Sequence, residues 1–300
     1  MEYLHNNKNV FNDIVLNASE YLNIEPAIIE KDYYVTLLLK EIVSSNPDII
    51  FKGGTSLSKC FQIVNRFSED LDIGLNVDKA TEGMRRGLKR CIVAAIEKYG
   101  FTLGNEDSIY SKRDFNRYQI KYPITQEVDY IKPFLFVETA VFLKPFPFET
   151  RQADTYIYRF LAQNGYDEII GKYKLETFDV NVQSLDRTFI DKLFALGDYY
   201  LTNKVFGYSR HLYDLYKIAP EIVYDDDFYR LFDEVREIRA LDKDCPSAKP
   251  ENSLKKILKE ICDKDFFKSD YEDVTEELLF ETVSYNTIKQ NLIEIINSIR

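Results

Sequence analysis

The sequence predicts a mixed α+β protein, with an α/β N-terminal part that carries a mixed sheet and a C-terminal helical bundle. Two observations carry this. Up to about residue 184, short runs of period-two or continuous apolar character alternate with helical stretches; after Ser184 only helical spacing is found. Composition agrees. Of 300 residues, 45% are hydrophobic, enough for substantial cores, and only nine are proline, which argues against long disorder. The expected domains are residues 1–184 and residues 185–300, the second closing a cleft over the first.

The elements follow in order. Residues 9–22 have helical spacing, and Pro26 suits the first turn of a second helix running to about Val43. Ile49-Ile50-Phe51 is a short apolar strand that breaks at Gly53-Gly54. A helix is expected from Thr55 or Ser56, with Leu57, Cys60, Phe61 and Val64 on one face. Asp70-Leu71-Asp72-Ile73-Gly74-Leu75 alternates as a strand does. Residues 80–99 are helical, and strands are expected near 101–103, 108–111, 116–122 and from Phe134 to Leu143. Pro145 and Pro147 mark a bend, 154–172 favours helix, and Phe178 to Val182 reads as the last strand. Phe189, Leu193, Leu196 and Tyr200 then form one helical stripe. Further helices are expected near 208–218, 228–240, 251–263 and 284–298.

Charge narrows the function. The net charge is −11, and residues 221–300 carry 20 acids against 12 bases. Such a protein attracts nucleic acid only through a local basic patch. Two stretches qualify, Arg85, Arg86, Lys89 and Arg90, then Lys112, Arg113, Arg117 and Lys121, although a solvated charged face accounts for either. The 22 tyrosines can stack on bases, but packing explains them more simply. Four scattered cysteines and two histidines argue against a thiolate zinc site or a disulfide framework, and suit a reducing cytosol. The N-terminus lacks a signal segment and no run is long enough to span a membrane, so a cytoplasmic protein is expected.

Candidate chemistry gathers in two places. Asp70 and Asp72, at i and i+2 on a strand, point to one face and can share divalent cations; Ser68 joins that face if the strand begins early. Glu138, the single acid in an apolar run, is a costly residue unless paired or bound to metal, and is the candidate third ligand. Gly53-Gly54 sits between a strand and a helix, where glycine lets the backbone approach a phosphate and the helix start offers N–H groups. Thr55 and Ser56 can add hydroxyl donors, and Lys52 or Lys59 a cation. Taken singly, these are also what a capped corner and a solvated strand edge contain.

The combination is more specific. Gly53-Gly54-Thr55-Ser56-Leu57-Ser58-Lys59, followed by Arg66-Phe67-Ser68-Glu69-Asp70-Leu71-Asp72-Ile73, resembles the signature of the AbiEii toxin family of DNA polymerase β-like nucleotidyltransferases. Ile29-Glu30-Lys31-Asp32-Tyr33 is similar to the family's lead-in helix. Ser184-Leu185 with Asp191-Lys192-Leu193-Phe194-Ala195-Leu196 resembles its lysine helix, and Arg210-His211-Leu212-Tyr213-Asp214-Leu215-Tyr216 its arginine-and-aspartate helix. The resemblance implies a nucleotidyltransferase core. It makes Asp70, Asp72, Lys192, Asp214 and Ser68 catalytic, with Lys192 on the nucleotide phosphates and Asp214 orienting that lysine or the acceptor. Gly53, Gly54, Thr55, Ser56, Lys59 and Arg66 become nucleotide-binding, and Asp70, Asp72 and Glu138 hold Mg²⁺ or Mn²⁺. Where many relatives carry a second basic residue on the lysine helix, this chain has Gly197-Asp198-Tyr199-Tyr200, with Lys204 later.

The resemblance further implies an NTP substrate, with GTP a candidate, an RNA acceptor such as tRNA, and a helix-turn-helix antitoxin as partner. Two other functions fit the sequence: nucleotide transfer to a protein or small-molecule hydroxyl, and a catalytically silent nucleotide-binding module. Histidine-based nuclease chemistry would fall to His211, a residue that on a helix is more often packing or surface. Arg210 and Asp214, one turn apart, also fit an ordinary surface salt bridge worth under about 1 kcal/mol.

Overall fold

The computed structural model describes residues 3–105, 110–112, 114–126, 128, 131–141 and 144–300. The chain divides into two compact units, Met1–Gln62 with Ser68–Val182, and Ile63–Phe67 with Gln183–Arg300. The short segment 63–67, which the sequence places in the first domain, thus belongs to the second unit.

The first unit opens with α1 (Lys8–Leu22) and α2 (Pro26–Ser45). The Asn7 side chain caps α1, the left-handed Asn23 ends it, and Pro26 starts α2. Then come β1 (Ile49–Lys52), α3 (Gly53–Ser56), β2 (Asp70–Leu75), α4 (Glu82–Lys98), β3 (Thr102–Leu103), β4 (Tyr110–Lys112), β5 (Phe115–Lys121), β6 (Leu135–Ala140), β7 (Phe148–Ala153), α5 (Tyr156–Gln163), α6 (Asp167–Tyr173) and β8 (Phe178–Gln183). The strands form one mixed sheet in the order β3-β5-β6-β2-β1-β8-β7, with β4 on β5. Strand β2 lies centrally, antiparallel to β1 and parallel to β6. Its Leu71 and Ile73 are fully buried on one face while Asp70 and Asp72 are half-buried on the other, as period-two alternation requires.

Several boundaries differ from expectation. Helix α3 starts at Gly53 and continues as a π-helical turn over Leu57–Phe61, closed by the left-handed Gln62, so Val64 lies beyond it. Ser68 precedes β2. The 154–172 stretch is two helices, divided at Gly165 with φ +73°. Strand β7 has no sequence signal because it is a sheet edge of alternating exposed and half-buried polar residues, the pattern expected of an edge strand. The expected strand near 108–111 lies partly, and Leu143 wholly, outside the described residues.

The second unit is helical: α7 (Leu185–Leu201), α8 (Arg210–Ile218), α9 (Asp226–Ala240), α10 (Leu254–Asp263), α11 (Lys268–Asp270) and α12 (Tyr285–Ser298). Ser184, Asp225, Ser253 and Ser284 supply side-chain caps to α7, α9, α10 and α12. On α7, Phe189, Leu193 and Leu196 are fully buried. The segment 63–67 joins this unit by main-chain pairing, with Phe67 N donating to Leu278 O (2.8 Å) and Phe280 N to Asn65 O (2.8 Å). Among the described residues, no helix is long and apolar enough to cross a membrane.

Candidate active site

In the first unit the site is built where β1 turns into α3, beside β2. Lys52 is extended, and the chain then turns through Gly53 at φ +81°, a left-handed conformation that favours glycine. A Cβ on Gly53 would lie 2.0 Å from Asp72 Oδ2, so no larger residue fits between the corner and that carboxylate. The hydroxyls expected to face phosphate turn inward. Thr55 Oγ1 donates to Asp70 O (2.6 Å) and shares a hydrogen bond with Ser68 Oγ (2.8 Å), while Ser56 Oγ donates to Gly53 O (2.8 Å). The Thr55 bonds fasten the corner to the start of β2, and the Ser56 bond closes the corner on itself. By helix geometry, the N–H groups of the first turn are its remaining donors.

Asp70 and Asp72 share a face of β2, and Asp70 Oδ1 is buried without a hydrogen-bond partner. Hard carboxylate oxygens, one of them unsatisfied, suit Mg²⁺ or Mn²⁺, which take one or two carboxylates and complete their shell with substrate phosphate and water. In-register pairing sets Lys52 and Glu138 on either side of Asp72, and Arg117 beyond Glu138. The charges therefore run plus, minus, minus, plus across four strands. Glu138 Oε1 lies 2.7 Å from Arg117 Nε, which neutralises the acid that the sequence assigns to metal. Among the described residues, no three His, Cys, Asp or Glu side chains gather to hold a metal ion. Glu138 thus stands beside Asp72 as the ion-pair partner of Arg117.

Lys59 is 2% exposed and donates to Asp32 Oδ1 (2.5 Å) and Thr36 Oγ1 (2.5 Å) inside the first unit. Lys52, in register with Asp72, places a cation beside the carboxylates. Burial pushes the Cys60 thiol up to about 12 and those of Cys245 and Cys262 up to about 11, so none of these is a ready nucleophile.

In the second unit, Arg66, Lys192 and Asp214 form a buried triad. Arg66 grips Asp214 with Nε to Oδ1 (2.7 Å) and Nη2 to Oδ2 (2.8 Å), and Lys192 Nζ donates to Oδ2 (2.6 Å). Burial alone would raise the Asp214 pKa, but Arg66 and then Lys192 override it and hold the carboxyl well below the usual carboxylate range. Lys192 is lowered by burial, against the pull of Asp214. Arg66, expected on the nucleotide, also donates from Nη1 to Phe67 O (2.8 Å) and is 2% exposed. Lys192 is 5% exposed and held by Asp214, which fixes the direction of its ammonium. The surface pair Arg210–Asp214 is replaced by this buried arrangement, whose two cations and one anion leave a net positive charge suited to phosphate.

His211 lies against Tyr199 (ring centroids 5.5 Å), which itself stacks on Tyr208 at 3.8 Å. Burial first, then the charges of Lys192 and Arg210, keep the His211 imidazole well below its ordinary pKa, and its Nδ1 is buried without a partner. The departure at Gly197-Asp198 has a packing reason. A Cβ at Gly197 would meet Ser247 Cβ at 2.7 Å, while Asp198 accepts from Ser247 Oγ (2.7 Å) and Arg239 Nη2 (2.8 Å).

Of the basic stretches, Arg85 pairs with Asp114 and Arg86 with Glu82, whereas Lys89 and Arg90 are exposed on α4 with no partner among the described residues. A cavity of about 680 Å³ runs along this helix, lined by Arg86, Lys89, Arg90, Val93, Ala94 and Glu97; it does not include the aspartate pair. Arg113 and the Lys112 side chain lie outside the described residues.

Comparison with known proteins identifies the family. MenT4, a nucleotidyltransferase toxin of Mycobacterium tuberculosis H37Rv, has a similar structure: TM-score 0.54 at 18% identity, over 95% of this chain and 84% of that one. JHP933 of Helicobacter pylori aligns at TM-score 0.45 and 17% identity, over 90% and 89%. No curated protein matches the sequence significantly. The family model described as "Nucleotidyl transferase AbiEii toxin, Type IV TA system" matches residues 37–291. With the corner, the aspartate strand and the lysine and aspartate helices all inside or beside that span, the chain belongs to the AbiEii nucleotidyltransferase toxin family of type IV toxin–antitoxin systems.

Proposed function

We propose that this nucleotidyltransferase moves a nucleotide from an NTP to a hydroxyl of RNA, with tRNA as the acceptor and a helix-turn-helix antitoxin restraining it. The observation that carries the reading is the close fit of Gly53 against Asp72: a backbone corner suited to phosphate abuts a carboxylate suited to a divalent cation. Asp70 and Asp72 would hold Mg²⁺ or Mn²⁺, and the bound cation supplies charge neutralisation at the attacked phosphorus.

The protein's own groups do the rest. The N–H groups of the corner donate to the phosphate oxygens, and the half-buried Lys52 adds positive charge beside Asp72. Ser68, tied to Thr55, steadies the approach to β2. The Arg66–Asp214–Lys192 triad carries net positive charge, and in this reading Lys192 serves the triphosphate while Asp214 fixes its ammonium. Lys89 and Arg90, exposed and without a partner among the described residues, offer charge for an RNA backbone on an otherwise acidic chain.

Purified protein incubated with labelled NTPs, Mg²⁺, total tRNA and a protein extract tests this. Label is expected in the tRNA fraction and to depend on the cation. Label confined to protein would move the acceptor to a protein hydroxyl, and no label in any fraction would favour a silent nucleotide-binding module.

A further inference from the structure

The charged residues Glu30, Lys31 and Asp32 interrupt an apolar helix, and the structure gives each a different tether within the first unit. Glu30 is fully buried and accepts from Thr125 N (2.9 Å), Thr125 Oγ1 (2.8 Å) and Gln126 N (2.8 Å). Asp32 accepts from Lys59 Nζ and from Tyr156 N (3.0 Å) at the start of α5. Lys31, also fully buried, donates to Glu69 Oε2 and to Lys132 O (2.7 Å).

The Lys31 contacts fall at a chemically telling place. Glu69 immediately precedes Asp70, the first residue of β2, and Lys132 lies just ahead of β6. The pairing of β2 with β6 begins at Asp70 opposite Phe136 and continues to Asp72 opposite Glu138. One ammonium therefore ties together the entrances of the two strands that carry this row of acids. Lys132 Nζ, 3.7 Å from Glu69 Oε1, adds a second cation on the same carboxylate. A buried ammonium is a poor choice for stability alone, since an apolar side chain of similar volume packs there without loss of hydration. Asp70 Oδ1, next along the strand, is buried without a hydrogen-bond partner.

We propose that Lys31 is a positioning residue for the cation site: by holding Glu69 and the carbonyl of residue 132, it fixes the start of β2 on β6 and so the direction in which Asp70 presents its free oxygen. This rests on the reading of Asp70 and Asp72 as cation ligands. Residues that orient metal ligands typically change metal affinity by about tenfold to a hundredfold when removed. Thr125, Gln126 and the Glu30 carboxylate they surround make a comparably buried polar contact from the same helix that does not lead to β2, which supplies the control.

The test is Mn²⁺ binding to the full chain, followed by electron paramagnetic resonance and calorimetry, with thermal melting alongside. Wild type is expected to bind Mn²⁺, and Asp70→Asn with Asp72→Asn to lose it. Lys31→Met is expected to weaken Mn²⁺ by about tenfold or more while the fold is kept. The double variant Lys31→Met with Glu69→Gln, which leaves neither of the two charges unmatched, should do the same if the single variant fails to fold. Glu30→Gln should lower the melting temperature and leave Mn²⁺ affinity as in wild type. Wild-type affinity in both Lys31 variants overturns the proposal, as does an equal loss of affinity in Glu30→Gln, which would mean general loosening. If wild type binds Mn²⁺ no better than the double asparagine variant, the cation-site reading has failed, and this inference with it.

Discussion

Gly53 and Asp72 stand in such close contact that a methyl group on the glycine would fall 2.0 Å from the carboxylate oxygen. The glycine also sits at φ +81°, where an L side chain is strained. Gly53→Ala is therefore expected to lower stability by about 1–3 kcal/mol through backbone strain. Its larger effect is expected on nucleotide transfer, because the clash displaces Asp72 from the corner. Urea denaturation and labelled-nucleotide transfer on the same preparation measure both. Normal transfer in the alanine variant would mean that the contact has no catalytic meaning.

Lys192 and Asp214 give opposite expectations for stability. Lys192→Ala leaves Asp214 gripped by both ends of Arg66, so the fold should persist while transfer falls by about a hundredfold to a thousandfold, the usual consequence of removing a transition-state donor. Asp214→Asn leaves two buried cations without a counter-charge and should cost about 3–5 kcal/mol. Denaturation curves compared with turnover separate the two outcomes.

The two histidines set a pH dependence. Burial depresses the His5 pKa to about 4, and His211 lies well below its ordinary value. In the unfolded chain both titrate near 6.5, so below that pH the unfolded state binds protons that the native state refuses. Stability should therefore fall as pH falls from about 6.5 towards 4. Raised carboxyl pKa values at Glu30 and Asp154 act in the opposite sense, so the histidine part is read from a difference. His211→Gln should lose less stability than wild type between pH 7.5 and pH 5, measured by urea denaturation at each. An unchanged difference would show that His211 titrates normally.

Lys89 and Arg90 should act on RNA affinity through phosphate charge. Replacing each with alanine is expected to weaken tRNA binding similarly for all sequences, and to reduce the slope of log affinity against log salt by about one per residue. Filter binding across a salt series measures this, and an unchanged slope would remove α4 from the RNA path.

How much of this was legible in the sequence depended on the range of the interactions. The alternation of Asp70-Leu71-Asp72-Ile73 is local, and it foretold both the strand and its polar face. The Gly53 corner was readable for the same reason. The partners of Lys59 and Arg66 were not legible because they are distant in sequence: Asp32 stands 27 residues away and Asp214 148. Glu138 was recognised as an acid needing a partner, but the partner, Arg117, is fixed only by the register of β5 on β6. The segment 63–67 gave no hint that it pairs with residues 278–280. Glu30, Lys31 and Asp32 were noticed only as part of a family-like helix, because their partners at 125–126, 69 and 59 are far away in sequence.

The most direct measurement is transfer of label from an NTP to tRNA by Asp72→Ala beside wild type, in Mg²⁺, with circular dichroism confirming that both are folded. The expected result is label on tRNA with wild type and none above background with the variant. Wild-type transfer by a folded Asp72→Ala protein would contradict the assignment of β2 as the catalytic strand.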